Sequence, residues 1–351
     1  MKIFVFELVS GGGLVAEPLP PSLAREGDMM LRALLDDLTP LPGVRVLASR
    51  DPRLPPLAGV SAIVPAPGEG ALELYARGAR AGDAAWPIAP ETEGALERLT
   101  RETLQLGKIL LASRPGAVRL TASKHATALA LRAAGVPTVP TFREGDPVPP
   151  PAMPGPWIVK PDDGAGCDGA VIVPDWRAAS DRLAMRSGHL VAQPWIEGCA
   201  LSLSLLCCEG RALLLSCNRQ HVRITDGRPA LAGITVNGVA DQAGRLAELA
   251  ERIAVAIPGL WGYVGVDLVL AKEGPVVLEI NPRLTTSYCG LRRALGINTA
   301  AMVLDLLRTG GAADGWRRPE ATTSVTRIDI AERLADDFLS RRVARPAEAV
   351  G

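Results

Sequence analysis

The chain predicts a mixed α/β and α+β protein, with a small parallel sheet in its first part and mostly antiparallel sheet in its second. Two observations carry this. Over roughly the first 110 residues, short apolar runs alternate with stretches of helical spacing, the rhythm of a Rossmann-like lobe. From Trp157 onward, apolar runs of strand length follow one another with few helices between them. At 351 residues, 48% of them hydrophobic, the chain fits two or three packed lobes and can bury a core without disulfides or metal staples.

Taken in order, Lys2–Phe6 reads as a buried strand running into Ser10-Gly11-Gly12-Gly13, a turn whose backbone N–H groups can meet a ligand. The spacing is not G-x-G-x-x-G, which argues against a dinucleotide site. A helix is expected over Leu23–Leu38, strands at Val44–Leu47 and Ala62–Val64, and an amphipathic helix over Glu91–Leu106. Thr121–Ala134 is predicted as a helix with Thr121 or Ser123 as N-cap and Gly135 as its stop. Pro147–Pro156 is proline-rich enough to be a linker or exposed loop. Strands follow at Trp157–Lys160, Ala170–Val173, Leu190–Trp195, Ala200–Cys208, Ala212–Arg219, Trp261–Ala271 and Val276–Asn281, with helices near Arg177–Arg186 and Asp241–Ile257. Arg317–Gly351 holds one strand, Thr323–Ile330, then a charged helix. The expected division is 1–112, 113–196 and 197–351.

Charge excludes some functions. With 38 basic and 38 acidic residues and no basic stripe, nothing calls for a nucleic-acid partner. None of the six cysteines forms a C-x-x-C pair, and most lie in apolar runs, as expected of a reduced, cytoplasmic protein. Glu7 interrupts the first apolar run too early for a signal peptide, and no uncharged stretch approaches the length of a membrane span. His125, His189 and His221 are scattered, without zinc spacing or a Ser-His-Asp set.

The strongest chemical signal is an acid hairpin. If the turn centres on Glu273, Asp267 and Glu279 lie six residues to either side and face each other across the ladder, with Asn281 on the same face. Facing carboxylates repel, and charge among Val, Leu and Ile is costly. A divalent cation resolves both problems, since Mg²⁺ takes oxygen ligands, usually one or two carboxylates plus phosphate oxygens. The alternative is an amphipathic hairpin with both acids in solvent. Arg283, just beyond, favours the metal, because a guanidinium there can stabilise a transferring phosphoryl group.

Upstream, Ile158-Val159-Lys160 ends a strand in a lysine, and Asp162–Gly169 then makes a glycine-rich loop too long for a plain hairpin turn. It is suited to approach phosphates, although G-K-[ST] is missing. Lys124 opens a helix, where a cation is useful if an anion binds and is otherwise a solvated surface lysine. In Leu190–Gly198, Pro194 breaks strand pairing and leaves backbone groups near Trp195 and Ile196 for an adenine edge, with Gln193 in reach; Trp195 could equally be core.

Lys124, Lys160 with its glycine loop, the Gln193–Gly198 hinge, Asp267 and Glu279-x-Asn281-Pro282-Arg283 stand in the order of the ATP-grasp superfamily, and the resemblance covers about Ser123–Arg293. It implies an ATP-grasp fold, with a nucleotide between two α+β lobes behind an N-terminal Rossmann-like (pre-ATP-grasp) lobe. By this resemblance Lys124 and Lys160 bind ATP phosphates, Gly164, Ala165, Gly166 and Gly169 close over them, and Gln193, Pro194, Trp195 and Ile196 hold adenine. Asp267, Glu279 and Asn281 would hold two Mg²⁺ (or Mn²⁺) ions, while Arg283 and Lys160 are the catalytic cations. A glutamate that often grips the ribose appears here as Ala200, with Glu197 or Ser202 as substitutes.

A narrower likeness lies in Phe4–Gly13 and Ile88-Ala89-Pro90-Glu91-Thr92, which resemble ATP-grasp ligases of the tyramine–glutamate ligase type in methanofuran and methylofuran biosynthesis. It implies glutamate as the activated acid, an amine such as tyramine as acceptor, and small-molecule substrates; a homodimer is compatible with it. Glu7, Ser10, Gly11, Gly12, Glu91, Thr285 and Ser287 are the candidate substrate contacts, or else plain turn chemistry. Glutamate addition to a pterin-type cofactor, another peptide-bond ligation, and a degenerate nucleotide-binding regulator are the alternatives.

Overall fold

The computed structural model describes residues 1–147, 155–164, 166–185, 188–310 and 324–330. The first lobe contains β1 (Lys2–Glu7), α1 (Pro21–Leu38), β2 (Arg45–Ser49), β3 (Ser61–Ile63), α2 (Ala71–Arg80), β4 (Ala84–Ile88), α3 (Ala95–Gln105) and β5 (Ile109–Leu110). Its strands form a parallel sheet in the order β3-β2-β1-β4-β5. Alternation along β1 explains the layering. Ile3 and Val5 face one way, into the core shared with Leu31, Leu34 and Leu38 of α1. Phe4 and Phe6 face the other, against Tyr75 of α2 and Leu96 of α3.

Two helix expectations need correction here. The helix expected from Glu91 starts only at Ala95, because Glu93 (φ 52°) and Gly94 (φ 69°) are left-handed and break it. Glu91 therefore lies in the loop after β4. The helix expected over Thr121–Ala134 is α5 (Lys124–Ala133), and Thr121 and Ala122 belong instead to the end of α4 (Pro115–Ala122). Ser123 is the extended residue between them and caps α5 by accepting from the Ala126 N–H; Thr121 belongs to the helix before.

The second half contains β6 (Trp157–Pro161), β7 (Val171–Val173), α6 (Trp176–Met185), β8 (Leu190–Pro194), β9 (Cys199–Cys208), β10 (Arg211–Thr225), β11 (Arg228–Val239), α7 (Arg245–Ala256), β12 (Gly262–Ala271), β13 (Gly274–Asn281), α8 (Tyr288–Leu295), α9 (Thr299–Thr309) and β14 (Thr326–Asp329). Three strands, β7-β6-β8, make a small antiparallel sheet backed by α6. The other six form an antiparallel sheet ordered β13-β12-β9-β10-β11-β14. One face of the large sheet packs on α7, with Ala117 of α4 and Leu131 of α5 joining Leu203, Leu205, Val264 and Val266. The opposite face packs on α8 and α9, whose Leu291 and Val303 continue into the core under α1. The first lobe is thus seated on the large sheet. The strand β11 and the helices α8 and α9 were not foreseen. The charged helix expected after Ile330 lies outside the described residues. Among the described residues, no helix is long and apolar enough to cross a membrane.

Candidate active site

The two acids do face each other. Asp267 of β12 pairs directly with Glu279 of β13, and Gly265 with Asn281, which puts all three polar side chains on one face. The route to that register differs from the expectation. The turn is only Lys272-Glu273, closed by Ala271 opposite Gly274, so its register would set Asp267 against Leu278. A β-bulge between the Asp267 and Leu268 pairings adds one residue to β13 and returns Glu279 to Asp267. The bulge is what builds the site.

Hydrogen bonds organise the pair. Asn281 Nδ2 donates to Asp267 Oδ2 at 3.0 Å, and Gln220 Nε2 of β10 donates to Asp267 Oδ1 at 2.8 Å. Burial, reinforced by the Glu279 charge, pushes the Asp267 carboxyl well above the usual carboxylate range. Burial opposes the Glu279 charge too, but Lys124 and Lys160 outweigh it and hold that carboxyl low. Gln220 was missed from sequence, because it lies in the polar run Asn218-Arg219-Gln220-His221 of β10, where an amide does not stand out.

Lys124 is buried at the start of α5. Its Nζ lies 3.4 Å from Glu279 Oε2 and donates to the carbonyl oxygens of Asp162 and Gly164 at the root of the glycine loop. The Asp162 carboxylate accepts from the Ser123 hydroxyl, the His125 N–H and Arg143. Lys160, half-buried at the end of β6, feels Glu279, Lys124 and Asp267; burial pushes its ammonium pKa down while the acids pull it back up. Two cations and two carboxylates therefore meet where the small sheet approaches the acid hairpin. Gly164, Gly166 and Gly169 belong to the loop above them; Ala165 lies outside the described residues.

Arg283 is not free beside the acids. Its Nε and Nη2 donate to a single oxygen, Glu91 Oε2, at 3.1 and 2.9 Å, and Nη2 reaches Asn281 Oδ1 at 3.4 Å. The next residues of the Glu91 loop touch the glycine loop: the Thr92 hydroxyl donates to Asp163 O, and the Glu93 N–H donates to Asp163 Oδ2. The carboxyl-terminal edge of the parallel sheet thus closes the site's third side, where ligands of such sheets bind.

Other expected contacts are less direct. Glu7 is buried, accepts the Ser10 N–H at 2.6 Å and packs against Gly27 of α1, so it braces its own turn. Burial pushes its carboxyl up to about 6 against the backbone donors. Ser10, Gly11 and Gly12 are buried within the first lobe, Gly11 against Ser49 and Gly12 against Pro65. Glu26, whose charge reaches both Glu7 and Arg283, accepts from the Thr286 hydroxyl; neither Glu26 nor Thr286 was foreseen. Thr285 pairs with the Tyr263 hydroxyl at 3.0 Å, and its methyl occupies the space a Cβ on Gly265 would need. Ser287 meets Ser202 at 3.2 Å, so Ser202 is engaged within the core rather than turned to a ribose.

At the hinge, the Trp195 N–H expected to meet adenine is instead spent on Pro156 O at 2.9 Å. Gln193 is buried and donates to the Thr141 hydroxyl at 2.9 Å, while Trp195 and Ile196 are half-buried, not core. Among the described residues, no group of three or more His, Cys, Asp or Glu side chains could hold a metal. Asp267 and Glu279 are two carboxylates, below that number, with the Asn281 amide beside them.

Comparison with known proteins agrees with the fold. A family model described as an ATP-grasp domain matches residues 121–287, and one described as a pre ATP-grasp 3 domain matches residues 44–118. The tyramine–L-glutamate ligase of Methanocaldococcus jannaschii is 30% identical over 212 residues, covering 60% of this chain and 58% of that relative. The chain thus spans less than two thirds of the length of that curated relative. A solved ATP-grasp superfamily protein from Archaeoglobus fulgidus superposes with a TM-score of 0.68 at 26% identity, over 94% of this chain and 99% of its own. An L-amino acid ligase from Bacillus licheniformis shares the fold, with a TM-score of 0.61 at 17% identity over 90% of this chain and 77% of that one.

Proposed function

We propose that this chain, whose residues 121–287 match an ATP-grasp domain and 44–118 a pre ATP-grasp 3 domain, is an ATP-dependent carboxylate–amine ligase working through an acyl phosphate. The observation that carries the reading is the Asp267–Glu279 pair, two carboxylates set opposite each other and served by Lys124 and Lys160. The donor set fits Mg²⁺: two carboxylates, with phosphate oxygens completing the shell and the Asn281 amide oxygen joining once that amide turns from its present donation to Asp267. Mg²⁺ held by Asp267, Glu279 and Asn281, as one ion or two, would neutralise charge on the phosphates; Mn²⁺ suits the same ligands. Lys124 and Lys160 bind phosphate oxygens, moving from countercharges of Glu279 to countercharges of the nucleotide. Gly164–Gly169 fold over the phosphates and exclude water that would hydrolyse the intermediate. Adenine contacts fall to Ile196 and the Trp195 carbonyl.

Phosphoryl transfer needs positioning and charge neutralisation more than a protein nucleophile. The substrate carboxylate takes the γ-phosphoryl group; the amine then attacks the acyl carbon and phosphate leaves. Arg283 stabilises the oxyanion that develops on that carbon, held in place by Glu91 and Asn281. The relatives' name supports L-glutamate as the acid and tyramine or a similar amine as acceptor; synthesis of a methanofuran-type cofactor is what the resemblance of Phe4–Gly13 and Ile88–Thr92 implies. The test is phosphate release from ATP and Mg²⁺ with L-glutamate and tyramine supplied singly and together. Release that requires both substrates is expected; release indifferent to either substrate, or none with any acid–amine pair, defeats the reading.

A further inference from the structure

The glycine loop leaves β6 through two adjacent aspartates whose side chains serve different parts of the site. Asp162 faces α5. Its carboxylate accepts from the Ser123 hydroxyl, the His125 N–H and Arg143, and its carbonyl accepts from the Lys124 N–H and Nζ. Asp163 faces the first lobe. Its Oδ2 accepts the Glu93 N–H at 2.9 Å, and its carbonyl accepts from the Thr92 hydroxyl at 3.2 Å.

Glu93 has a side chain yet a left-handed backbone (φ 52°), a conformation that persists only where surrounding contacts over-determine it. Those contacts are the Asp163 carboxylate on its N–H and the Arg98 guanidinium on its carbonyl. The turn around it is closed, with the Gly94 N–H on Glu91 O at 3.0 Å and the Leu96 N–H on Pro90 O at 3.2 Å. Glu93 and Glu91 therefore move together, and Glu91 Oε2 is what holds Arg283. A chain of contacts thus runs from Asp163 through one closed turn to Arg283. The Asp163–Glu93 bond lies at an exposed edge, where a hydrogen bond adds little to stability. Its consequence is placement: the turn that carries Glu91 takes its position from the root of the phosphate loop.

Resting on the ligase reading above, we propose that Asp163 is a positioning residue that ties the placement of Arg283 to occupancy of the nucleotide site. Lys124 Nζ is bonded to the carbonyls of Asp162 and Gly164, on either side of Asp163. A nucleotide whose phosphates engage Lys124 orders this stretch of backbone and Asp163 with it. The Asp163–Glu93 bond then opens less often, and the closed turn passes that order to Glu91. The guanidinium is fixed when the acyl phosphate forms, at the moment its oxyanion contact is needed. An acceptor oxygen at residue 163 suffices for this, because its partner is a neutral backbone N–H.

The test is amide hydrogen exchange over residues 89–96 of the full chain, with and without saturating Mg²⁺ and the non-hydrolysable ATP analogue AMP-PNP. In wild-type protein the nucleotide is expected to slow exchange at Glu93 by at least about threefold. Asp163→Ala should reduce that slowing below about 1.5-fold, and Asp163→Asn, whose amide oxygen accepts the same N–H, should restore it. In phosphate-release assays at saturating ATP, Asp163→Ala should lower kcat about 3–10-fold, the loss expected when a transition-state contact is misplaced, and Asp163→Asn should recover it. If Asp163 only braced its loop, Asp163→Ala would speed Glu93 exchange equally with and without nucleotide and leave their ratio intact; that result overturns the proposal. So does a nucleotide that binds wild-type protein without slowing Glu93, or an unchanged kcat in Asp163→Ala. Failure of the ligase reading has a different signature: no rise in wild-type Tm with Mg²⁺ and AMP-PNP and no phosphate release, which removes this proposal with it.

Discussion

Asp267→Asn should stabilise the ligand-free protein and disable it at once. In the folded chain Asp267 faces Glu279 across the ladder and is partly withdrawn from water. Directly opposed like charges cost up to about 1 kcal/mol, and burial of the charge adds to that. Against the gain stands one mismatch: Asp267 accepts from both Gln220 and Asn281, and an asparagine amide offers one acceptor oxygen, so one amide must turn over at a cost of about 1 kcal/mol. The net expectation at pH 8 is a gain of about 1–2 kcal/mol, a rise of a few degrees in Tm. The sign follows from linkage. A carboxyl raised from 3.8 to about 7 contributes stability that is fully present below its unfolded value and is lost as pH rises through its folded value. The variant's advantage should therefore be absent at pH 4 and complete by pH 8. Thermal melts at both pH values, with and without Mg·ADP, make the measurement. Lower stability of Asp267→Asn at pH 8, or an undiminished Mg·ADP stabilisation in the variant, would refute the reasoning.

Lys160→Ala removes a charge-assisted phosphate contact and is expected to raise KM for ATP by about 10–100-fold in phosphate-release assays; an unchanged KM would remove Lys160 from the phosphate site. Glu7→Gln mimics the protonated form of a buried carboxyl whose pKa is raised from 4.5 to about 6. Wild-type stability should thus fall by about 2 kcal/mol relative to the variant between pH 4 and pH 8, read from urea midpoints. Parallel pH profiles for the two proteins would show that the Glu7 carboxyl is not perturbed.

Legibility in the sequence followed the locality of the signal. The acid pair was readable because alternation places residues on faces, but its register came from two deviations that cancel: a tighter turn at Lys272-Glu273 and a bulge on β13. The long strand β11 was missed because Pro229, Gly233 and Gly238 interrupt its apolar pattern; its pairing with β10 is fixed across the sheet. Helix α3 was started four residues too early because Glu91-Thr92-Glu93 reads as an acidic first turn, and the left-handed backbone of Glu93 and Gly94 is not revealed by any periodicity. That error hid the freedom of Glu91 to leave its own element and meet Arg283, 192 residues away. The Trp195 N–H was likewise spent on a distant carbonyl, that of Pro156. Local chemistry was visible; pairing between lobes was not.

The central claim is that the Asp267–Glu279 pair holds a divalent ion together with a nucleotide. Electron paramagnetic resonance of Mn²⁺ titrated into the protein with ADP addresses it without requiring turnover or knowledge of the acceptor. Tight ADP-dependent Mn²⁺ binding in the wild type, weakened at least about tenfold in both Asp267→Asn and Glu279→Gln, is the expected result. Equal Mn²⁺ affinity in all three proteins would contradict the account.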